Sequence, residues 1–341
     1  GGHPLLVTAK IANLRARGWP DQALLEDLVF PANDGVKGTR IEARKRLLAE
    51  IPSNTSARAV LERVSTVFQG FDDGLVQALS GDPPKLERPS DALTLLKGTW
   101  LEPVAGVGWR LSPLLSDLAA DVSLEQAQRW RQIAAVYWMS KKTLNARTLP
   151  LCFWNAYLGK HPFVLLKVTE AIMTMGPGQV QSAAALLAPL AAFHTDRSLL
   201  PEDPTTACGL RMLQIIVADA VEDDQVAGAA ADALLREIDA LPVPELRELE
   251  TSLAAKVVLG VERVWIPARL QVTYLRRLTA MMTRVMAGGF PALKETMQNF
   301  KEGLPAGADA CGMHLAAVFM RMRNSERLCE MIDALAEMYP H

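Results

Sequence analysis

Five histidines (His3, His161, His194, His314, His341) and four cysteines (Cys152, Cys208, Cys311, Cys329) supply the bases, nucleophiles and soft metal ligands of this 341-residue chain. They are scattered. No CxxC pair, no Cys/His group at zinc spacing and no Gly-x-Ser-x-Gly elbow occurs, so a metal site or catalytic base would have to assemble from distant positions, and the thiols read as reduced. Seven aromatics crowd one stretch (Trp130, Tyr137, Trp138, Phe153, Trp154, Tyr157, Phe163), within a segment, 123–180, of net charge +5. Aromatics interleaved with basic residues fit a stacking-and-phosphate surface for nucleic acid, and aromatics at helical spacing fit a core. The run Glu222-Asp223-Asp224 lies in a second segment, 196–250, of net charge −9. It is a candidate contact for a basic partner, a clasp onto the basic block in a resting state, or an ordinary solvated turn.

Helices must position nearly all of these groups. The chain is 50% apolar and 22% charged with net charge −2, the composition of a globular protein, and its length suggests about two compact units. No apolar run reaches the ~18 residues of a membrane span, and Gly1-Gly2-His3-Pro4 lacks a signal-peptide layout, so a cytoplasmic protein without a membrane partner is expected. Apolar periodicity predicts helices over 5–14, 20–29 and 41–51, then over 57–68, 72–79 and 90–96. The one β signal is Trp100 to Val104, the turn Ala105-Gly106-Val107-Gly108, and Trp109 to Leu111. Three short helices closed by a ribbon is the layout of a winged helix, and a further helix is expected from Pro113, with Ser112 as its N-cap.

From Ser123 onward only helices and short Pro/Gly links are expected. Ser123 and Gln126 form a capping-box pair ahead of the stripe Trp130, Ile133, Ala134, Tyr137 and Trp138. Pro162, Pro204, Pro244, Pro267 and Pro291 mark later starts. About eight to ten antiparallel helices imply an α-solenoid-like, TPR-like array, although no strict 34-residue period is present. The expected fold is therefore mainly α, with a small helical subdomain over 1–52, a winged-helix domain over 53–121 and a helical-repeat sensor over 122–341.

Two segments together resemble a known family. Gly2-His3-Pro4-Leu5-Leu6 resembles the Gly-x-Pro motif opening the small helical subdomain of STAND-class NTPases, which include NB-ARC proteins, NLR immune receptors and large bacterial regulators. Phe71-Asp72-Asp73, Leu93 to Leu96 and Trp109 to Ala119 resemble that family's winged helix. Leu111, Ser112 and Pro113 stand where the family carries Met-His-Asp, a departure at the His that touches nucleotide. The resemblance, over residues 1–121, implies that Pro4 packs on adenine, with His3 and Ser112 as further nucleotide contacts. Pro4 equally suits N1 of the first helix, and Ser112 the N-cap role.

The resemblance also implies what lies elsewhere. This chain has no Gly-x-x-x-x-Gly-Lys-Ser/Thr loop, so it reads as the C-terminal part of a larger protein whose upstream nucleotide-binding and effector domains hold ATP or ADP. The expected function is regulatory, not enzymatic, with no cofactor or metal bound by this chain alone. A protein or peptide trigger on the helical array and oligomerisation on activation are the implied partners. Two alternatives stand beside it, a winged-helix DNA-binding regulator and a passive helical scaffold. Residues 84–121 carry four basic and five acidic side chains, which disfavours nucleic acid.

Overall fold

The computed structural model describes residues 48–49, 51, 55–141, 144–187, 190, 201–286 and 325–338. The subdomain expected over 1–52 falls almost wholly outside these residues, and His3 and Pro4 with it. The described chain is mainly helical, with twelve α-helices, one two-stranded sheet and one 3-10 helix. Contacts divide it into two compact units, Gly1–Leu165 and Leu166–His341.

In the first unit, side-chain caps set the helix starts. Thr55 is extended, and its hydroxyl accepts from the Arg58 amide at 3.4 Å to open α1 (Ser56–Ser65). Asp72 accepts from the Leu75 amide at 2.8 Å to open α2 (Asp73–Ser80). Pro89 opens α3 (Pro89–Leu96), whose inner face is Ala92, Leu93 and Leu96. Strands β1 (Leu101–Val104) and β2 (Gly108–Leu111) then pair antiparallel, Leu101 opposite Leu111 and Val104 opposite Gly108. The ribbon is tied to the helices because Trp109 and Phe71 exchange backbone bonds of 2.8 and 2.9 Å. Gly108 is required there: its φ is +129°, and a Cβ would stand 2.8 Å from the Phe71 carbonyl.

The helix expected from Pro113 is present as a 3-10 helix (Pro113–Asp121), but Ser112, expected as its N-cap, makes no side-chain cap bond. The buried Ser112 instead donates its amide to the Trp100 carbonyl at 2.8 Å, so its place is set by the ribbon. Helix α4 (Leu124–Met139) has the expected Ser123 cap, its hydroxyl accepting from the Gln126 amide at 3.3 Å. Helix α5 (Thr148–Leu158) follows, then α6 (Pro162–Met173), which belongs to the second unit from Leu166 onward. Trp130, Trp138, Phe153 and Trp154 are all buried, so the aromatic stretch is chiefly core, while Phe163 is exposed. Buried Asn155 ties α5 to the end of α1 by accepting from the Phe68 amide at 3.1 Å.

The second unit contains α7 (Pro177–Leu187), α8 (Pro204–Val221), α9 (Asp224–Asp239), α10 (Pro244–Val258), α11 (Ala268–Met286) and α12 (Ser325–Met338). Helix α8 packs on α7, α9 and α10, α10 on α11, and α11 on α12. Ala227, Ala230 and Ala231 line one face of α9 at i, i+3 and i+4, and such small residues let neighbouring backbones approach. Tyr274 is fully buried in this core and donates to the Ala231 carbonyl at 2.7 Å. The starts expected at Pro162, Pro204 and Pro244 are observed, Pro267 directly precedes α11, and Pro291 lies outside the described residues.

Candidate functional site

The acidic run occupies the turn between α8 and α9. Glu222 adopts a left-handed conformation (φ +61°) and ends α8, and its carboxylate stands 3.9 Å from Arg263. Asp223 caps α9 by accepting from the Val226 amide at 3.0 Å. Asp224 accepts from the Trp265 amide at 2.6 Å and from Arg327 at 3.4 Å. Nearby Asp219 accepts from the amides of Glu262, Arg263 and Val264 at 3.0, 2.7 and 3.1 Å. Much of the run's acceptor capacity is therefore used within the second unit, where it holds the loop after α10.

The first unit gathers a polar cluster that the sequence reading did not assemble. Tyr137 on α4 donates to Asp72 at 2.5 Å, and Lys141 donates to Asp72 at 3.0 Å and to the Tyr137 oxygen at 2.6 Å. Burial alone would raise the Asp72 pKa, but the bonds from Tyr137, the Leu75 amide and Lys141 outweigh it and hold the carboxyl below its ordinary range. Burial, then the bond to Asp72, raises Tyr137, and the bond to Tyr137 leads the causes that raise Lys141. All three shifts favour the charge states already present at neutral pH. The cluster is a clasp between α2 and α4, and its lowered pKa makes the Asp72 carboxylate a weak base at pH 7.

Beside it, Asp73 accepts from the Trp109 indole at 2.7 Å and from Lys97 at 3.2 Å, with Lys97 stacked 4.6 Å from the Trp109 ring centre. The one lysine at the end of α3 is thus engaged by the ribbon. Buried Arg63 donates to the carbonyls of Leu79, Asp82 and Pro84, and Trp130 donates to the Asp82 carboxylate at 3.0 Å. These bonds fix the loop between α2 and α3.

The second unit holds a cavity of about 560 Å³ between α6, α8 and α10. Ile172, Met173, Met212, Ile216, Leu253 and Val257 give it an apolar wall. Glu250, on the first half of α10, also lines it and is 5% exposed. Among the described residues its Oε2 has no hydrogen-bond partner, an arrangement that costs about 1–3 kcal/mol for a buried acceptor. Burial, and then the nearby Asp203 carboxylate, push the Glu250 pKa up to about 7. Asp203 itself caps α8, accepting from the Thr206 amide at 2.8 Å.

A near-neutral carboxyl in an apolar cleft marks a candidate site. Cys208 nearby is no nucleophile, because burial and then Glu250, Glu237 and Asp203 push its thiol well up. Among the described residues no group of three or more His, Cys, Asp or Glu is placed to hold a metal ion. What the cavity can do is hold a small apolar molecule and exchange a proton or a hydrogen bond with it at Glu250. Sequence reading missed Glu250 by counting it as one charge of an acidic segment. The available signal was its spacing: Glu250, Ala254, Val257 and Val258 form one buried stripe, so this carboxylate sits where a core residue belongs. Comparison with known proteins returns no match for the chain, neither a family model, nor a curated protein, nor a solved structure.

Proposed function

We propose that the chain is the regulatory, ligand-sensing C-terminal region of a STAND-like signalling NTPase, in which residues 53–121 act as a winged helix and the helices from 122 onward as a TPR-like sensor. Three helices, a ribbon bonded back to Phe71 and a following 3-10 helix support the first half of this reading. The observation that carries the sensing half is the cavity with its buried, unpartnered Glu250. A site of that kind gains a partner only when a ligand enters, so occupancy is coupled to the packing of α6, α8 and α10. The DNA-binding alternative has less support, since Lys97 is engaged by Asp73 and Trp109 and the inner face of α3 is buried.

The test begins with the coding sequence upstream of Gly1, where this reading places a phosphate-binding loop. Nucleotide exchange and ATP turnover of the parent protein are then compared between wild type and Leu253→Trp, which fills the cavity. A shift in either rate is the expected result. A parent without a phosphate-binding loop would overturn the family reading, and unchanged rates would remove the cavity from the sensing path.

A further inference from the structure

We propose that the cavity of the second unit receives a small apolar molecule carrying one cationic amine, whose ammonium group pairs with the Glu250 carboxylate. This rests on the sensing reading and names its ligand class. The apolar wall of Met173, Met212, Ile216, Leu253 and Val257 selects a hydrocarbon body, and about 560 Å³ suits a ligand of drug-like size or smaller. The polar group must meet Glu250, the one buried carboxylate among the described residues that line the cavity.

Charge decides its sign. Among the described residues that line the cavity Glu250 is the one buried charged side chain, and Asp203 lies close enough to act on it electrostatically, so the inner wall carries negative charge alone. Arg211, the buried cation of α8, bonds to Gln214 at 3.1 Å. The cations lining the cavity, Lys256 and Arg263, are exposed, where water and salt screen them. A ligand carboxylate would be repelled at the floor, and a neutral hydroxyl would bond the Glu250 carboxylate without compensating its charge. An ammonium does both.

The full chain is titrated calorimetrically at about pH 8, where an alkylammonium stays protonated, with three probes of one shape: n-octylamine, 1-octanol and octanoate. The expected order is amine tightest, by about tenfold over the alcohol, with the carboxylate weakest. Glu250→Gln should erase the preference of amine over alcohol while octanol still binds, and Leu253→Trp should abolish binding of both. Octanoate binding as tightly as octylamine, absence of binding by all three, or an amine preference surviving Glu250→Gln would each overturn the assignment. Thermal unfolding of each variant checks that it is folded. Should Glu250→Gln not fold, the order of the three probes on wild type decides alone. Because the titration reads binding by this chain directly, its failure leaves the family reading to the nucleotide assay, and a parent lacking a phosphate-binding loop leaves the amine assignment standing.

Discussion

Glu250 is a residue whose burial and charge oppose each other. Its folded pKa, near 7, stands above the ordinary value of 4.5. Between those two values the folded state holds more protons than the unfolded chain, so stability falls as pH rises through that window and levels off above it. A shift of this size corresponds to about 3 kcal/mol, an order-of-magnitude figure. Glu250→Gln keeps the shape and removes the titration. Urea midpoints taken at about pH 5 and pH 8 should therefore diverge, with the variant gaining on wild type at the higher pH by about 2 kcal/mol or more. Equal pH dependence in both proteins would mean that Glu250 is solvated.

At the scale of elements, Asp72 serves two helices at once. It caps α2 through the Leu75 amide and clasps α4 through Tyr137 and Lys141. Asp72→Ala removes the cap, about 1 kcal/mol, and leaves a half-buried tyrosine hydroxyl without its acceptor, about 1–3 kcal/mol more. Asp72→Asn should recover most of the cap and little of the ion pair. Because the folded pKa of Asp72 is depressed, its contribution is present at neutral pH and is lost as pH falls through and below the ordinary carboxylate range. Thermal unfolding of wild type, Asp72→Asn and Asp72→Ala, compared at neutral and acid pH, checks this order. The spread between wild type and Asp72→Ala should narrow in acid, and a constant spread would show that the charged clasp contributes little.

Across the whole molecule, the acidic segment 196–250 finds its cations in the helices that follow it. Arg277 holds Asp239 with two bonds of 2.7 and 2.8 Å, Arg284 bonds Glu248, and Arg327 reaches Asp224. Opposite charge thus meets inside one compact unit, which lowers the long-range field available for steering a basic partner. The chain is nearly neutral, with net charge −2, and its sequence has no Gly-x-x-x-x-Gly-Lys-Ser/Thr run. The chain alone should therefore bind ATP no more tightly than about millimolar, with or without magnesium, since such a run is what supplies the backbone amides and the lysine of a phosphate-binding loop. Calorimetry with ATP and magnesium reads this directly, and micromolar, magnesium-dependent binding would contradict it.

Local chemistry in the sequence determined much of what is observed. Pro162, Pro204 and Pro244 start helices because a missing amide hydrogen costs nothing in a first turn, and Ser123 caps α4 because its oxygen reaches a free amide three residues on. The ribbon was legible for the same reason, with glycines at positive φ in and beside its turn. The 3-10 form after Ser112 was not, because the Ser-Pro pair suits either helix and the ribbon's hold on the Ser112 amide is a non-local contact. Glu222, Asp223 and Asp224 read as an open charge run, yet their partners Arg263, Trp265 and Arg327 arrive from later helices and loops. The site depends on the tertiary structure most of all. A glutamate in an acidic stretch looks solvated in sequence, and only the packing of α8 on α10 beside the apolar cavity takes Glu250 out of water, with one oxygen left without a hydrogen-bond partner among the described residues. Desolvation and cavity shape are properties of which surfaces meet, and helical periodicity specifies that a face is buried without specifying what covers it.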